Sequence, residues 1–446
     1  MIVMPQAAHI QILPRLQDAV TAINTRPMKG RVKRIIGNLI HATVPDARLG
    51  EVCALHDYSS GVTSYAEIVG FDDMEAMLSP LGQLQGLSTA TEVTTTGQFL
   101  EVPVGEALLG RVIDGLGNPL DMDGKGPLPK MQARPLLNAA PPALLRRLID
   151  RPMPLGLRAI DGLLTCGEGQ RIGIYGEPGT GKSLLLAQIL RASGADVNVV
   201  ALVGERGREV REFIERQLPP ESRARSVMVV ATSDRSSVER VKGAQTAMTI
   251  AEYFRDQGAR VLLVVDSITR LARALREIGL AAGEPPTRRG FPPSVFTALP
   301  ALFERAGMAD KGSITAFFTV LVEGDGTSDP VAEETRGLLD GHIILSPKLV
   351  RAGHFPAIDI AASLSRVMID VVKPEHLAAA QKVRQLISKH AEIEFLIQVG
   401  EYRPGSDKLG DQAIAKWPAI LQFLRQSPRE HSDFGETLRQ LGSLIA

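Results

Sequence analysis

The stretch GEPGTGKS at positions 176–183 limits what this 446-residue chain can fold into more than any other. It fits G-x-x-x-x-G-K-[ST], and its flanks supply the context that gives the pattern meaning. Residues 171–175, RIGIY, read as an apolar strand, and 182–193 set Leu184, Leu185, Leu186, Ile189 and Leu190 along a wide apolar helix face. Gly176, Gly179 and Gly181 let the backbone curl so that its N–H groups converge on an anion, and the following helix points its positive end at the same place. Glu177, Pro178 and Thr180 fill the remaining loop positions. In such a loop Lys182 reaches the terminal phosphates of a nucleotide, and the Ser183 hydroxyl is the expected Mg²⁺ ligand.

The rhythm around the loop predicts an α/β core. Apolar, β-rich runs at 197–203, 226–232, 261–266 and 314–322 are each followed by amphipathic or polar segments. Strands apolar on both faces, spaced by helices, imply a mostly parallel sheet. Upstream, RVKRII, LIHATV, GEVCAL and VTSYAEIVGF are short strands punctuated by Gly, Pro and Asp, which suggests a small β-barrel. The first two dozen residues form at best a loose helix. Past Lys373 and Pro374 the β signal vanishes, and 377–398, 410–426 and 432–446 carry helical periodicity. Three domains are expected: a leader and barrel at 1–97, a nucleotide-binding domain at 98–372, and a helical domain at 373–446.

Lys plus Arg equals Asp plus Glu at 50 each, so bulk charge makes no case for nucleic acid or acidic lipid as a partner. Two distant cysteines, Cys53 and Cys166, exclude a disulfide framework and fit a reducing cytosol. The eight histidines are scattered singly, which argues against zinc. No basic leader followed by an apolar stretch reads as a secretion signal, and no run of about 18 apolar residues could span a membrane.

Two carboxylates stand at strand ends. Asp266 closes the run 261–265, where P-loop enzymes keep the Asp of the Mg²⁺ shell. Glu205 follows 197–203 within GERGREV, flanked by Arg206 and Arg208, at the strand tip where ligands bind in α/β sheets. Hydrolysis needs such a group to orient water.

These and longer stretches resemble the protein-export ATPases of type III secretion, which are similar in turn to the catalytic subunits of rotary ATP synthases. The resemblance rests on GERGREV, on 266–296, on GSITAFFTVLVEGD at 312–325, on LLDGHIIL at 338–345 and on HFPAIDIAASLSRVM at 354–368. It extends to LLGRVIDGLGNPLD at 108–121 and VGEYRPGSD at 399–407. It implies a RecA-like P-loop core between a β-barrel and a helical domain, with ATP and Mg²⁺ as substrate and cofactor. Glu205 matches the carboxylate that activates water, and Arg206 and Arg270 match arginines near the terminal phosphate. Phe355 matches an aromatic that stacks on adenine, and Tyr402 borders the base. Arg366 matches the arginine finger that enters the adjacent subunit's site. Lys182, Glu205 and Arg366 are thus the expected catalytic set. The resemblance further implies a homohexameric ring, a central stalk, stator and export-gate proteins, chaperone–substrate complexes, and a cytoplasmic enzyme peripheral to the inner membrane.

Departures from the family pattern are Leu271, where an aromatic is usual, Gly326, where an acidic residue is common, and Glu177 and Pro178 in the loop. AIDGLLTCGEGQR at 159–171 and SPLGQLQG at 79–86 resemble the injectisome branch, linked to virulence, more than the flagellar one. A flagellar export ATPase would share the chemistry. A RecA-like RNA translocase should carry an aromatic-rich basic surface, which balanced charge and 4% aromatics argue against. A non-catalytic ring subunit should lack Glu205.

Overall fold

The computed structural model describes residues 29–82, 84–322 and 329–445. The loose helix expected in the first two dozen residues and the Gly326 loop lie outside them. The chain folds as two compact units, with the boundary between Leu100 and Glu101.

The first unit is a closed antiparallel barrel of β1 (Lys29–Ile36), β2 (Leu39–Thr43), β3 (Glu51–Asp57), β4 (Val62–Asp72), β5 (Glu75–Pro80) and β6 (Glu92–Phe99). β3 alternates buried and half-buried residues, the period of a strand with one face inward. Val32, Ile40, Cys53, Leu55, Ile68, Leu78 and Val93 fill the interior. The strands run β1-β2-β5-β4-β3-β6 and close through β6 onto β1, leaving no free edge. EVTTTGQF, which forms β6, carries few apolar residues and gave no separate strand signal, and neither did the short EAMLSP of β5.

The second unit begins with β7 (Glu101–Val104), which pairs with β9 (Gln132–Pro135). Its main sheet has nine strands among the described residues. They are β8 (Val112–Asp114), β10 (Arg171–Gly176), β11 (Val197–Val203), β12 (Ser226–Ala231), β13 (Arg260–Asp266), β14 (Gly307–Met308), β15 (Ser313–Leu321), β16 (Gly341–Leu345) and β17 (Ile358–Ser365). The order is β17-β16-β10-β15-β13-β11-β12-β8, with every neighbouring pair parallel except β16 with β17. The short β14 adds antiparallel to β15. Every residue of β11 and β12 is buried, as expected of strands covered on both faces.

The helices Pro374–Gln398, Lys408–Leu424 and Phe434–Ile445 follow the predicted helical periodicity closely. Their residues Val383, Leu386, Ile420, Phe423 and Leu441 join one apolar core with Ile172 and Ile174 of β10 and Leu185 and Ile189 of the helix Lys182–Ala192. At about 1.5–3 kcal/mol for each fully buried large aliphatic side chain, this shared core fastens the helical segment to the end of the sheet that carries the loop.

Candidate active site

Parallel pairing brings the candidate residues together. β10, β15, β13 and β11 are consecutive in the sheet and point the same way, with Gly176 opposite Leu321, Val265 opposite Phe318 and Leu202 opposite Asp266. The loop after β10, the tip of β13 and the turn after β11 therefore share one edge. This is the carboxyl edge, where ligands bind in open α/β sheets.

Gly181 has φ +89° and precedes the helix Lys182–Ala192. A Cβ added there or at Gly179 would meet nothing within 4 Å, so the loop encloses open space. Pro178 and Gly179 are exposed, Glu177 is half-buried, and the Thr180 hydroxyl donates to Glu177 O at 2.7 Å. Lys182 is buried, and its Nζ donates to Gly176 O and Glu177 O, both at 2.7 Å. Burial pushes its pKa down to about 8, while the charges of Asp266 and Glu205 oppose the shift. The ammonium is thereby held inside the loop, where a phosphate would favour its charged form.

Asp266 is buried at the tip of β13, and Thr319 Oγ1 donates to its Oδ1 at 2.6 Å. Burial raises its pKa, and the Thr319 bond and the Lys182 charge counter that. Ser267 caps the next helix, Ile268–Ala281, by accepting from Arg270 N at 3.4 Å. Thr269 ties that helix to β15: its hydroxyl donates to Leu321 O at 3.2 Å and accepts from Leu321 N at 2.8 Å.

Gly204, at φ +71°, makes the turn that presents Glu205; a Cβ there would stand 2.9 Å from Arg270 Cδ. Arg270 Nε lies 2.9 Å from Glu205 Oε1 in an ion pair. Burial, and then the charge of Asp266, raises the Glu205 pKa to about 7, with Arg270 pulling it back. A carboxylate titrating there is matched to general-base work near neutral pH.

The residues present fit Mg²⁺. Ser183 is exposed in the first turn of its helix, and Asp266 offers a carboxylate whose other oxygen is fixed by Thr319. Among the described residues no cluster of three or more His, Cys, Asp or Glu could cage a metal. A small hard cation held by one carboxylate, a hydroxyl, phosphate oxygens and water needs no such cage.

Phe355, 37% exposed, lines a slot beside the loop together with Thr180, Leu184, Gln188, Gln426 and Pro428. Gln426 N donates to Phe355 O at 2.9 Å, so the segment after the helix Lys408–Leu424 clamps the turn between β16 and β17. An exposed aromatic beside a phosphate loop can stack on a base.

Three expected residues are not gathered here. Arg206 is exposed and pairs with Glu209 at 3.3 Å. Tyr402 donates to Asp411 Oδ1 at 3.0 Å and to Asp407 O at 3.2 Å, and is not a wall of the slot. From the C-terminal segment, Gln426 and Pro428 line the slot. Arg366 follows β17, with its N–H on Asp340 O, and Asp340 N in turn donates to Arg171 O. Arg366 therefore stands at the amino end of β10, one strand length of roughly 16 Å from the loop. Its guanidinium donates to Arg336 O at 3.2 Å and is exposed.

Sequence reasoning missed Thr319, Thr269 and Gln426. A lone Thr inside the apolar run FFTVLV was the available signal for Thr319, since a buried polar group must find a partner.

Family models match along the chain: the beta-barrel domain of the ATP synthase alpha/beta family at residues 32–97, its nucleotide-binding domain at 156–365, and the T3SS EscN ATPase C-terminal domain at 372–443. The type 3 secretion system ATPase of Sinorhizobium fredii is 58% identical over 97% of this chain and 95% of its own length. The flagellum-specific ATP synthase of Bacillus subtilis is 46% identical over 96% and 98%. The structure of the assembled ATPase EscN from the enteropathogenic E. coli type III secretion system superposes with a TM-score of 0.89 at 48% identity, covering 94% of this chain and all of that one. EscN in complex with its central stalk EscO gives a TM-score of 0.86 at 47% identity over the same shares. With this fold, this loop and these relatives, the chain belongs to the family of type 3 secretion system ATPases, a branch of the ATP synthase alpha/beta family.

Proposed function

We propose that this ATPase hydrolyses ATP at sites shared between neighbouring copies in a homohexameric ring, and so drives type III protein export through an injectisome. The carrying observation is the separation of Arg366 from its own loop: Lys182, Glu205, Asp266 and Arg270 converge at one end of the sheet, and Arg366 stands at the other. Arg366 can then offset transition-state charge only in a neighbouring subunit's site, a contribution of about 10³–10⁵ in rate for P-loop enzymes.

Within each site the loop's N–H groups and Lys182 grip the phosphates, Phe355 stacks on the base, and Arg270 lies near the terminal phosphate; Arg206, exposed and paired with Glu209, would have to leave that ion pair to join it. Glu205 accepts a proton from the attacking water while Arg270 holds its carboxylate in place. Ser183 and Asp266 would hold Mg²⁺, which when bound offsets phosphate charge. Tyr402 is proposed to act near the base only through the C-terminal segment that carries it.

EscN has been seen assembled and with a central stalk, which supports a ring and a stalk partner for this chain. The barrel would hold the ring together, and the C-terminal domain, taken as 373–446 after a core at 98–372, would engage chaperone–substrate complexes. Stator and export-gate proteins would station the ring at the cytoplasmic face of the inner membrane. No helix among the described residues is long and apolar enough to cross a membrane, so attachment would be peripheral.

The test is ATPase rate per subunit against protein concentration, with mass followed by light scattering. The rate should climb as hexamers form. A monomer as active per subunit as the ring would refute shared sites.

A further inference from the structure

The chain leaves the helix Lys408–Leu424 directly into the wall of the slot that Phe355 lines, at Gln426 and Pro428. The carbonyls at such a helix end have no partners within the helix. Arg158, first residue of the helix Arg158–Leu163, supplies donors from across the fold. Its buried guanidinium donates through Nε to Phe423 O at 2.8 Å, and also to Arg425 O and the Glu430 carboxylate. The backbone N–H of Arg158 donates to Gln426 Oε1 at 2.9 Å, while Gln426 Nε2 donates to Gly156 O at 2.6 Å and to Glu430 O at 3.0 Å. A backbone N–H can only donate and a carbonyl can only accept, so these partners fix the orientation of the amide. Both of its N–H groups are committed, and neither is left to read a base in the slot.

The residues that follow are tied to the helix of the phosphate loop. Gln188 Nε2 donates to Ser427 O at 3.2 Å, and the Arg191 guanidinium donates to Pro428 O. Gln426 N meanwhile holds Phe355 O at 2.9 Å. The amide of Gln426 thus sets where its own backbone stands, and that backbone sets where the Phe355 ring stands beside the loop. We propose that Gln426, braced by Arg158, is a positioning residue for the nucleotide base. It holds Phe355 at stacking height without reading the base's edge, and so tightens ATP without entering the chemistry. This role depends on the reading of Phe355 as the aromatic that stacks on the base.

The test uses the full-length protein and two ligands, ATP and inorganic tripolyphosphate, which offers the loop its phosphates without a base. KM for ATP, kcat and the inhibition constant of tripolyphosphate are measured for Gln426→Ala, Phe355→Ala and the double variant. Gln426→Ala should raise KM by about three- to ten-fold, up to the value of a base–aromatic stack. Its kcat should stay within about two-fold, the mark of a lost binding contact. Tripolyphosphate should inhibit as before, and adding Gln426→Ala to Phe355→Ala should raise KM no further, because the two residues act through one contact. Glu430→Ala, at a side chain 39% exposed, supplies the same comparison if Gln426→Ala fails to fold. An unchanged KM where Phe355→Ala raises it, equal weakening of ATP and tripolyphosphate, or additive effects in the double variant would each overturn the proposal and leave the stack standing. An unchanged KM in Phe355→Ala itself would remove the stacking reading, and the proposal with it.

Discussion

Arg270 Nε stands 2.9 Å from Glu205 Oε1, and this ion pair joins the helix after β13 to the turn after β11. Burial and the nearby Asp266 raise the Glu205 pKa to about 7, and Arg270 is the charge that lowers it. A base works deprotonated, so activity should rise with pH through that region. Arg270→Ala removes the lowering charge, and the acid limb of kcat/KM should move to higher pH. An unmoved limb would mean that another group sets it.

Thr319→Val keeps the side-chain shape and deletes the hydroxyl that donates to Asp266 at 2.6 Å. The buried carboxylate then loses a bond that favours its charged form, so its pKa should rise further. A more readily protonated Asp266 holds Mg²⁺ less well. The Mg²⁺ concentration for half-maximal ATPase activity should increase several-fold, about the effect of one hydrogen bond to a charged group. An unchanged Mg²⁺ titration would separate Thr319 from metal binding.

Phe355→Ala should raise KM for ATP about ten-fold and leave kcat nearly intact, since stacking on an aromatic is worth about 1–3 kcal/mol per base. Tyr402→Phe should leave KM unchanged, because its hydroxyl is committed to Asp411 and Asp407. Steady-state kinetics on both variants separates the slot from the neighbouring turn.

Arg305 and Glu252 form an ion pair at 2.8 Å with both side chains almost wholly buried, at 4% and 3% exposure. Glu252→Ala would strand the guanidinium in the interior and should cost about 3–5 kcal/mol of stability. Denaturant unfolding reads this directly, and a cost below about 1 kcal/mol would mean that the pocket relaxes to admit water.

The legible part of the site was the local part. A phosphate loop carries its geometry within eight consecutive residues, and Glu205 and Asp266 each end an apolar run, so strand-end logic found them. Thr319 and Thr269 act through register, the alignment of β15 beside β13, which no single segment encodes. Gln426 reaches the slot from the far end of the helical segment, some 240 positions beyond the loop by sequence but packed against Phe355. The same contrast runs through the fold. Apolar strands and amphipathic helices declared themselves, whereas β6, which closes the barrel onto β1, has a sequence too polar to stand out. Arg366 was legible only through family resemblance, because its proposed partner lies in another copy of the chain.

Complementation between two inactive variants tests that last claim most directly. Glu205→Gln lacks the base but keeps Arg366, and Arg366→Ala lacks the finger but keeps Glu205. Each alone should be nearly inactive while still binding ATP. Mixed in equal amounts and allowed to form rings, they should regain activity, because about a quarter of randomly formed head-to-tail interfaces would pair an intact Glu205 with an intact Arg366. A mixture no more active than its components, under conditions where mass measurements show mixed rings, would contradict a site shared between subunits.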